Sequence, residues 1–92
     1  MRWKLFADLA ETVDGREPEV EVTAENPTVG DALTALLDAH PELADRVLDD
    51  DGDLRDHINL LRNGRNVGEG EGLETPVDPD DELALFPPVS GG

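Results

Sequence analysis

The sequence predicts an α+β domain in which one sheet is covered on one face by a main helix. Three observations carry that expectation. Segments near both ends of the chain alternate apolar and polar residues, the period of a half-buried strand. A central segment repeats apolar residues at helical spacing. An Asn-Gly pair sits between two further runs, as in a tight hairpin.

Taken in order, "RWKLFAD" (residues 2–8) predicts a first strand, with Trp3, Leu5 and Ala7 on one face and Arg2, Lys4 and Phe6 on the other. "EVEVT" (residues 19–23) alternates again and turns Val20 and Val22 inward. The connection between them holds Gly15 and Pro18, so the two predict a hairpin with a long loop. In "NPTVGDALTALLDAHP", Thr28 is a natural N-cap and Asp31 stands three residues on, as in a capping box. Val29, Leu33, Leu36, Leu37 and His40 fall on one stripe, and Pro41 ends the helix. "PELADRVL" predicts a second, shorter helix. In "DHINLLRNGRNV", Asn63-Gly64 suits a two-residue turn. There Ile58 and Leu60 share one face, while His57, Asn59 and Leu61 share the other. "VGEGEGLETPVDPDD" reads as a polar, flexible loop, and "ELALF" as the last strand, with Leu83 and Leu85 in phase.

A chain of 92 residues fits one small domain, and without cysteine it must be held by an apolar core. The net charge of −16, from 23 acidic against seven basic groups, disfavours nucleic acid and anionic lipid as partners. Lys4 is the only lysine among those seven. An acidic surface spread along the chain and depleted in lysine reads as adaptation to a salt-filled cytoplasm. No apolar run reaches the roughly 20 residues of a membrane span, and the first residues lack the apolar core of a signal peptide. The expected location is cytoplasmic.

Several motifs look chemical and read better as structure. Placing Gly52 of "DDDGD" (residues 49–53) at the sixth position of a calcium loop puts Ile58, which cannot ligate, at the twelfth. "GEGEG" (residues 68–72) has the glycines of a phosphate loop, but Glu69 and Glu71 would repel phosphate. His40 and His57 have no fixed relation to each other, and Ser90 has no base at suitable spacing. No catalytic residue and no metal ligand is assigned, and the chain is not expected to be an enzyme.

The end of the chain, "LFPPVSGG", is different. Pro87 and Pro88 cannot donate to a ladder, so they end the strand and send the chain outward in extended form. Val89, Ser90 and Gly91 follow, and neither Gly91 nor Gly92 has a Cβ, so backbone there could thread a tunnel too narrow for other residues. The candidate working group is therefore the C-terminal carboxylate of Gly92. The expected division is a domain over 1–87 and an extended tail over 88–92.

"KLFADLAE", "TVGDALTALLDAHPEL", "DHINLLRNG" and "DELALFPPVSGG" resemble the ubiquitin-like small archaeal modifier proteins. They are similar also to related sulfur carriers, the molybdopterin-synthase small subunit and the thiamin-pathway carrier. The resemblance spans the chain and is interrupted mainly over residues 68–79. It implies a β-grasp fold, with one mixed sheet packed on a main helix and a flexible tail. It implies adenylation of Gly92 by an ATP-dependent E1-like enzyme, with no cofactor stably bound. The acyl group then passes to lysines of target proteins, or sulfur replaces AMP to give a thiocarboxylate. Two alternatives are a dedicated sulfur-carrier subunit partnered by the molybdopterin-synthase large subunit, and an acidic interaction module with an inert tail. The family often carries Gly-Asp-Glu before the last strand; here Asp80-Asp81-Glu82 stands there, which puts that turn's geometry in question.

Because first and last strands are neighbours in a β-grasp sheet, strand parity brings Phe6 and Phe86 together on the open face, with Leu61 beside them. These three are the candidate docking residues for the activating enzyme. Lys4, on the polar parity of the first strand, is the candidate isopeptide acceptor if copies are joined to one another.

Overall fold

The computed structural model describes residues 1–6, 8–12, 18–23, 25–52, 54–55 and 58–86, the side chains of Asp8 and Glu69 excepted. Ala7, His57 and residues 87–92, including the expected boundary after residue 87, lie outside the described residues. The order of elements is β1 (Arg2–Leu5), α1 (Asp8–Thr12), α2 (Val29–Ala39), α3 (Ala44–Val47), β2 (Asn59–Arg62), β3 (Arg65–Asn66) and β4 (Glu82–Phe86). The four strands form one mixed sheet in the order β1-β4-β2-β3. β4 runs parallel to β1 and antiparallel to β2, the arrangement of a β-grasp.

Alternation decides which side of this sheet is covered. Trp3, Leu5, Leu60, Leu83 and Leu85 are all buried, and against them pack Val29, Ala32, Leu33 and Leu36 of α2. Each such leucine contributes about 2 kcal/mol of burial. The capping box at the start of α2 is complete. The Asp31 N–H donates to the Thr28 hydroxyl at 3.2 Å, and the Thr28 N–H donates to Asp31 Oδ2 at 3.0 Å. α2 stops at His40, whose φ of −132° leaves the helical region as a residue before proline must. "PELADRVL" forms a 3-10 turn over Pro41–Leu43 followed by α3, burying Leu43 and Val47.

The Asn63-Gly64 turn has the positive φ angles of a two-residue hairpin, 51° and 86°. Asp80 is not among the described residues with positive φ, so the turn before β4 asks nothing of Asp80 that an aspartate resists.

Three expectations change. First, residues 19–23 make no strand, only an antiparallel bridge between Glu19 and Arg2. The Trp3 N–H donates to the Pro18 carbonyl and the Val20 N–H to the Met1 carbonyl, both at 3.0 Å. Pro18 cannot donate in return, and in this register residues 21–23 lie past Met1, so the ladder has no room to grow. Second, the predicted first strand ends at Leu5, and α1 follows, burying Leu9. Third, the glycine-rich loop is folded into 3-10 turns over Val67–Glu69 and Gly72–Glu74 and pinned to the start of α2. The Val29 N–H donates to the Thr75 carbonyl at 2.8 Å, and the Val77 N–H to the Pro27 carbonyl at 3.0 Å. A Cβ on Gly30 would stand 3.1 Å from the Leu73 carbonyl oxygen, which is why α2 begins with a glycine in its first turn.

Candidate functional site

Among the described residues no helix covers the face of the sheet away from α2, and the composition of that face follows from register. Leu5 pairs with Leu85, so the next residues, Phe6 and Phe86, stand side by side on the opposite face. Their rings are stacked, with centroids 4.2 Å apart and planes 8° from parallel. Phe6 is 38% exposed, the one large apolar side chain so exposed among the described residues. Stacking removes part of each ring from water and adds about 0.5–1.5 kcal/mol beyond area burial.

The next row across this face is Lys4, Ala84 and Leu61, since Ala84 pairs with Lys4 on one side and Leu61 on the other. Leu61 is partly buried and diagonal to Phe86, which itself pairs with Asn59. The rim is polar. Lys4 Nζ lies 3.4 Å from Glu82 Oε1, with both side chains 41% exposed. Asn66 Nδ2 donates to Asn59 Oδ1 at 3.2 Å, and Arg2 is exposed. Phe6, Leu61, Phe86 and Lys4 thus share one face, as strand parity predicts. β4 ends at Phe86, the residue next to the PPVSGG tail. Gly92 and the threading residues Pro87, Pro88, Val89, Ser90 and Gly91 lie outside the described residues.

The origin of β4 is held by a group that sequence reasoning missed. Asp81 is buried among carboxylates that are mostly exposed. Its Oδ2 accepts from Arg62 Nε and from the Asp78 N–H, both at 2.8 Å, and its Oδ1 accepts from Asn63 Nδ2 at 2.9 Å. Burial pushes the Asp81 carboxyl up, but the Asp78, Asn63 and Arg62 donors and the Arg62 charge outweigh it, holding the group below its ordinary value. Asn63 also accepts from the Glu82 N–H through Oδ1 at 2.9 Å. The hairpin turn is thereby bolted to the first residue of β4. The lone sequence signal was the run Asp80-Asp81-Glu82, and charge alone could not single out one of 23 acids.

The remaining motifs have structural roles. His40 caps α2, its N–H donating to the Leu36 carbonyl at 2.9 Å, with Nδ1 3.6 Å from Glu42. Residues 49–52 form an acidic turn in which the Asp51 N–H donates to Asp49 Oδ1 at 2.9 Å. Among the described residues no group of three His, Cys, Asp or Glu side chains could hold a metal ion. Nor is any helix there long and apolar enough to cross a membrane.

Comparison with known proteins gives a consistent result. The ThiS family model matches residues 3–92. Small archaeal modifier protein 1 of Haloferax volcanii is 58% identical over 92 residues, the whole of both chains. The crystal structure of SAMP1 from Haloferax volcanii superposes with a TM-score of 0.90 at 56% identity, covering 100% of this chain and 98% of that one. A candidate sulfur carrier protein of Archaeoglobus fulgidus is 38% identical over 74 residues, 80% of this chain and 84% of its own.

Proposed function

The chain belongs to the ThiS family, and from that premise we propose that it is a ubiquitin-like protein modifier activated at the carboxylate of Gly92. An E1-like enzyme docks on the Phe6–Phe86–Leu61 face and receives residues 87–92 in its nucleotide site. There a Gly92 carboxylate oxygen attacks the α-phosphorus of ATP, and pyrophosphate leaves. The resulting acyl-adenylate has AMP as a good leaving group, which a bare carboxylate lacks. A lysine amine of a target protein then displaces AMP to give an isopeptide bond. The chain is substrate and carrier in these steps; the catalytic groups belong to its partner. ATP-dependent activation of this kind would take place in the cytoplasm.

The observation that carries the reading is the full-length similarity to a modifier protein, combined with a strand that ends on a stacked aromatic pair, half-buried Phe86 on exposed Phe6, next to PPVSGG. Deleting Gly91 and Gly92 tests it. Wild-type chain expressed in Haloferax volcanii should enter high-mass covalent adducts that survive denaturing electrophoresis, and the deleted chain should enter none. Equal adducts from both would leave the tail inert and the reading wrong.

The family match and the similarity to a candidate sulfur carrier favour a second fate for the same acyl-adenylate. A sulfur nucleophile displacing AMP gives a thiocarboxylate, and the molybdopterin-synthase large subunit is then a partner. Intact-mass measurement of chain isolated with and without a sulfur source separates the fates. One sulfur-for-oxygen exchange at the C-terminus marks the carrier role.

A further inference from the structure

We propose that modification of Lys4 and activation of Gly92 exclude each other: a copy acylated at Lys4 can no longer be adenylated at its own C-terminus. The inference rests on the docking role given above to the aromatic face. Lys4 is the only lysine in the chain, so any side-chain isopeptide between two copies must end on it. It points to the same face as Phe6, two residues away, a spacing of about 7 Å along the strand. An enzyme footprint of about 800 Å² corresponds to a disc about 16 Å in radius. Centred on the stacked rings, such a footprint takes in Lys4 and the whole Lys4–Ala84–Leu61 row. A substituent on Nζ would have to leave through the interface.

The amine is nevertheless reachable in an undocked copy. Its side chain is 41% exposed, and its contact with Glu82 is an exposed ion pair, which holds little in place. The donor is a second copy, carrying the acyl-adenylate that the activating enzyme makes from ATP. Lys4 Nζ, after yielding one proton to solvent, attacks the carbonyl carbon of the donor's Gly92 and gives up a second proton to solvent as the amide forms. A C–N bond forms, the C–O bond to AMP breaks, and AMP leaves with the electron pair. The acceptor copy has lost its cation, has left Glu82 unpaired and now carries a second domain beside its docking rings. It becomes a terminal unit, so linkages between copies are not assembled as free chains for later transfer.

The test uses a dimer in which one copy's Gly92 is joined to Lys4 of another by chemical ligation. The only free C-terminus then belongs to the acceptor, so ATP–pyrophosphate exchange reports that copy alone. With an archaeal E1-like enzyme that activates the wild-type chain, kcat/KM for the dimer should fall about thirtyfold or more, the loss of a central anchor. Lys4→Gln, which removes the charge without the bulk, should lose only about threefold, as for an exposed ion pair. A dimer activated as well as the wild type, or a Lys4→Gln loss as large as the dimer's, overturns the proposal. Failure of every such enzyme to activate the wild type would instead overturn the functional reading on which it stands.

Discussion

Phe86 separates two roles in one residue. Its backbone completes β4, pairing with Asn59, while its ring lies on Phe6 outside the core. Truncation should therefore spare folding and damage docking. Phe86→Ala is expected to weaken binding to the activating enzyme about thirtyfold, the effect of removing a 2 kcal/mol anchor. Titration calorimetry would measure that loss, with circular dichroism confirming the fold; unchanged affinity would move the docking face elsewhere. Asp81 works the other way, since its side chain serves the fold alone. Asp81→Asn keeps the shape but offers one acceptor oxygen to three donors, at a cost of about 2 kcal/mol. The sign of the pH dependence follows from a folded-state value below the ordinary one of about 3.9. Asp81 stabilises fully above that ordinary value, and its contribution is lost as pH falls through the lowered folded value. Urea denaturation should thus show wild type and Asp81→Asn far apart at pH 7 and converging below about pH 4. Parity makes the Phe6–Phe86 contact legible in the sequence, because alternation is a local rule. Asp81 was illegible because its side-chain partners, Asn63 and Arg62, are 18 and 19 residues away in sequence.

The hairpin turn shows how one element holds another. Gly64 has φ +86° and open space where a Cβ would go, so Gly64→Ala costs only the backbone penalty, about 1–2 kcal/mol. Asn63 tolerates its φ of 51° and also reaches across to Asp81 and to Glu82 of β4 with the two ends of its amide. Asn63→Ala should cost more than Gly64→Ala, about 3 kcal/mol, because two hydrogen bonds go with the turn preference. Thermal denaturation of the two variants gives the order; the reverse order would mean that the turn does not brace β4. Elements with local signatures were readable: α2 through its capping box, β2–β3 through Asn-Gly, and β4 through alternation. α1 was not, because five residues are too few to show a helical period against the alternation before them. Residues 19–23 alternate like a strand, yet a proline and the register of their partner reduce them to one bridge. The glycine-rich segment looked free because what fixes it, the start of α2, lies more than forty residues earlier.

At the scale of the whole molecule, charge sets the conditions under which all of this holds. The chain carries −16 within a radius of gyration of 12.1 Å. At 0.1 M salt the screening length of about 10 Å is close to that radius, so carboxylates repel across much of the domain. At 1 M it is about 3 Å, and only immediate neighbours interact. The Arg62–Asp81 pair, in which Asp81 is buried and Arg62 partly so, is screened less than the exposed Lys4–Glu82 pair. Salt therefore removes the repulsion while keeping more of the part-buried brace. The melting temperature should rise from 0.1 to 2 M KCl, and most of the rise should be complete by about 1 M, where screening has nearly saturated. Screening depends on ionic strength alone, whereas strengthened apolar burial depends on the salt and continues to grow with concentration. Scans in KCl and in potassium sulfate at matched ionic strength distinguish the two. Coincident curves that level off identify relief of self-repulsion, and diverging curves that keep climbing identify apolar burial. A melting temperature that stays flat from 0.1 to 2 M KCl would show that the acidic surface is no adaptation to salt.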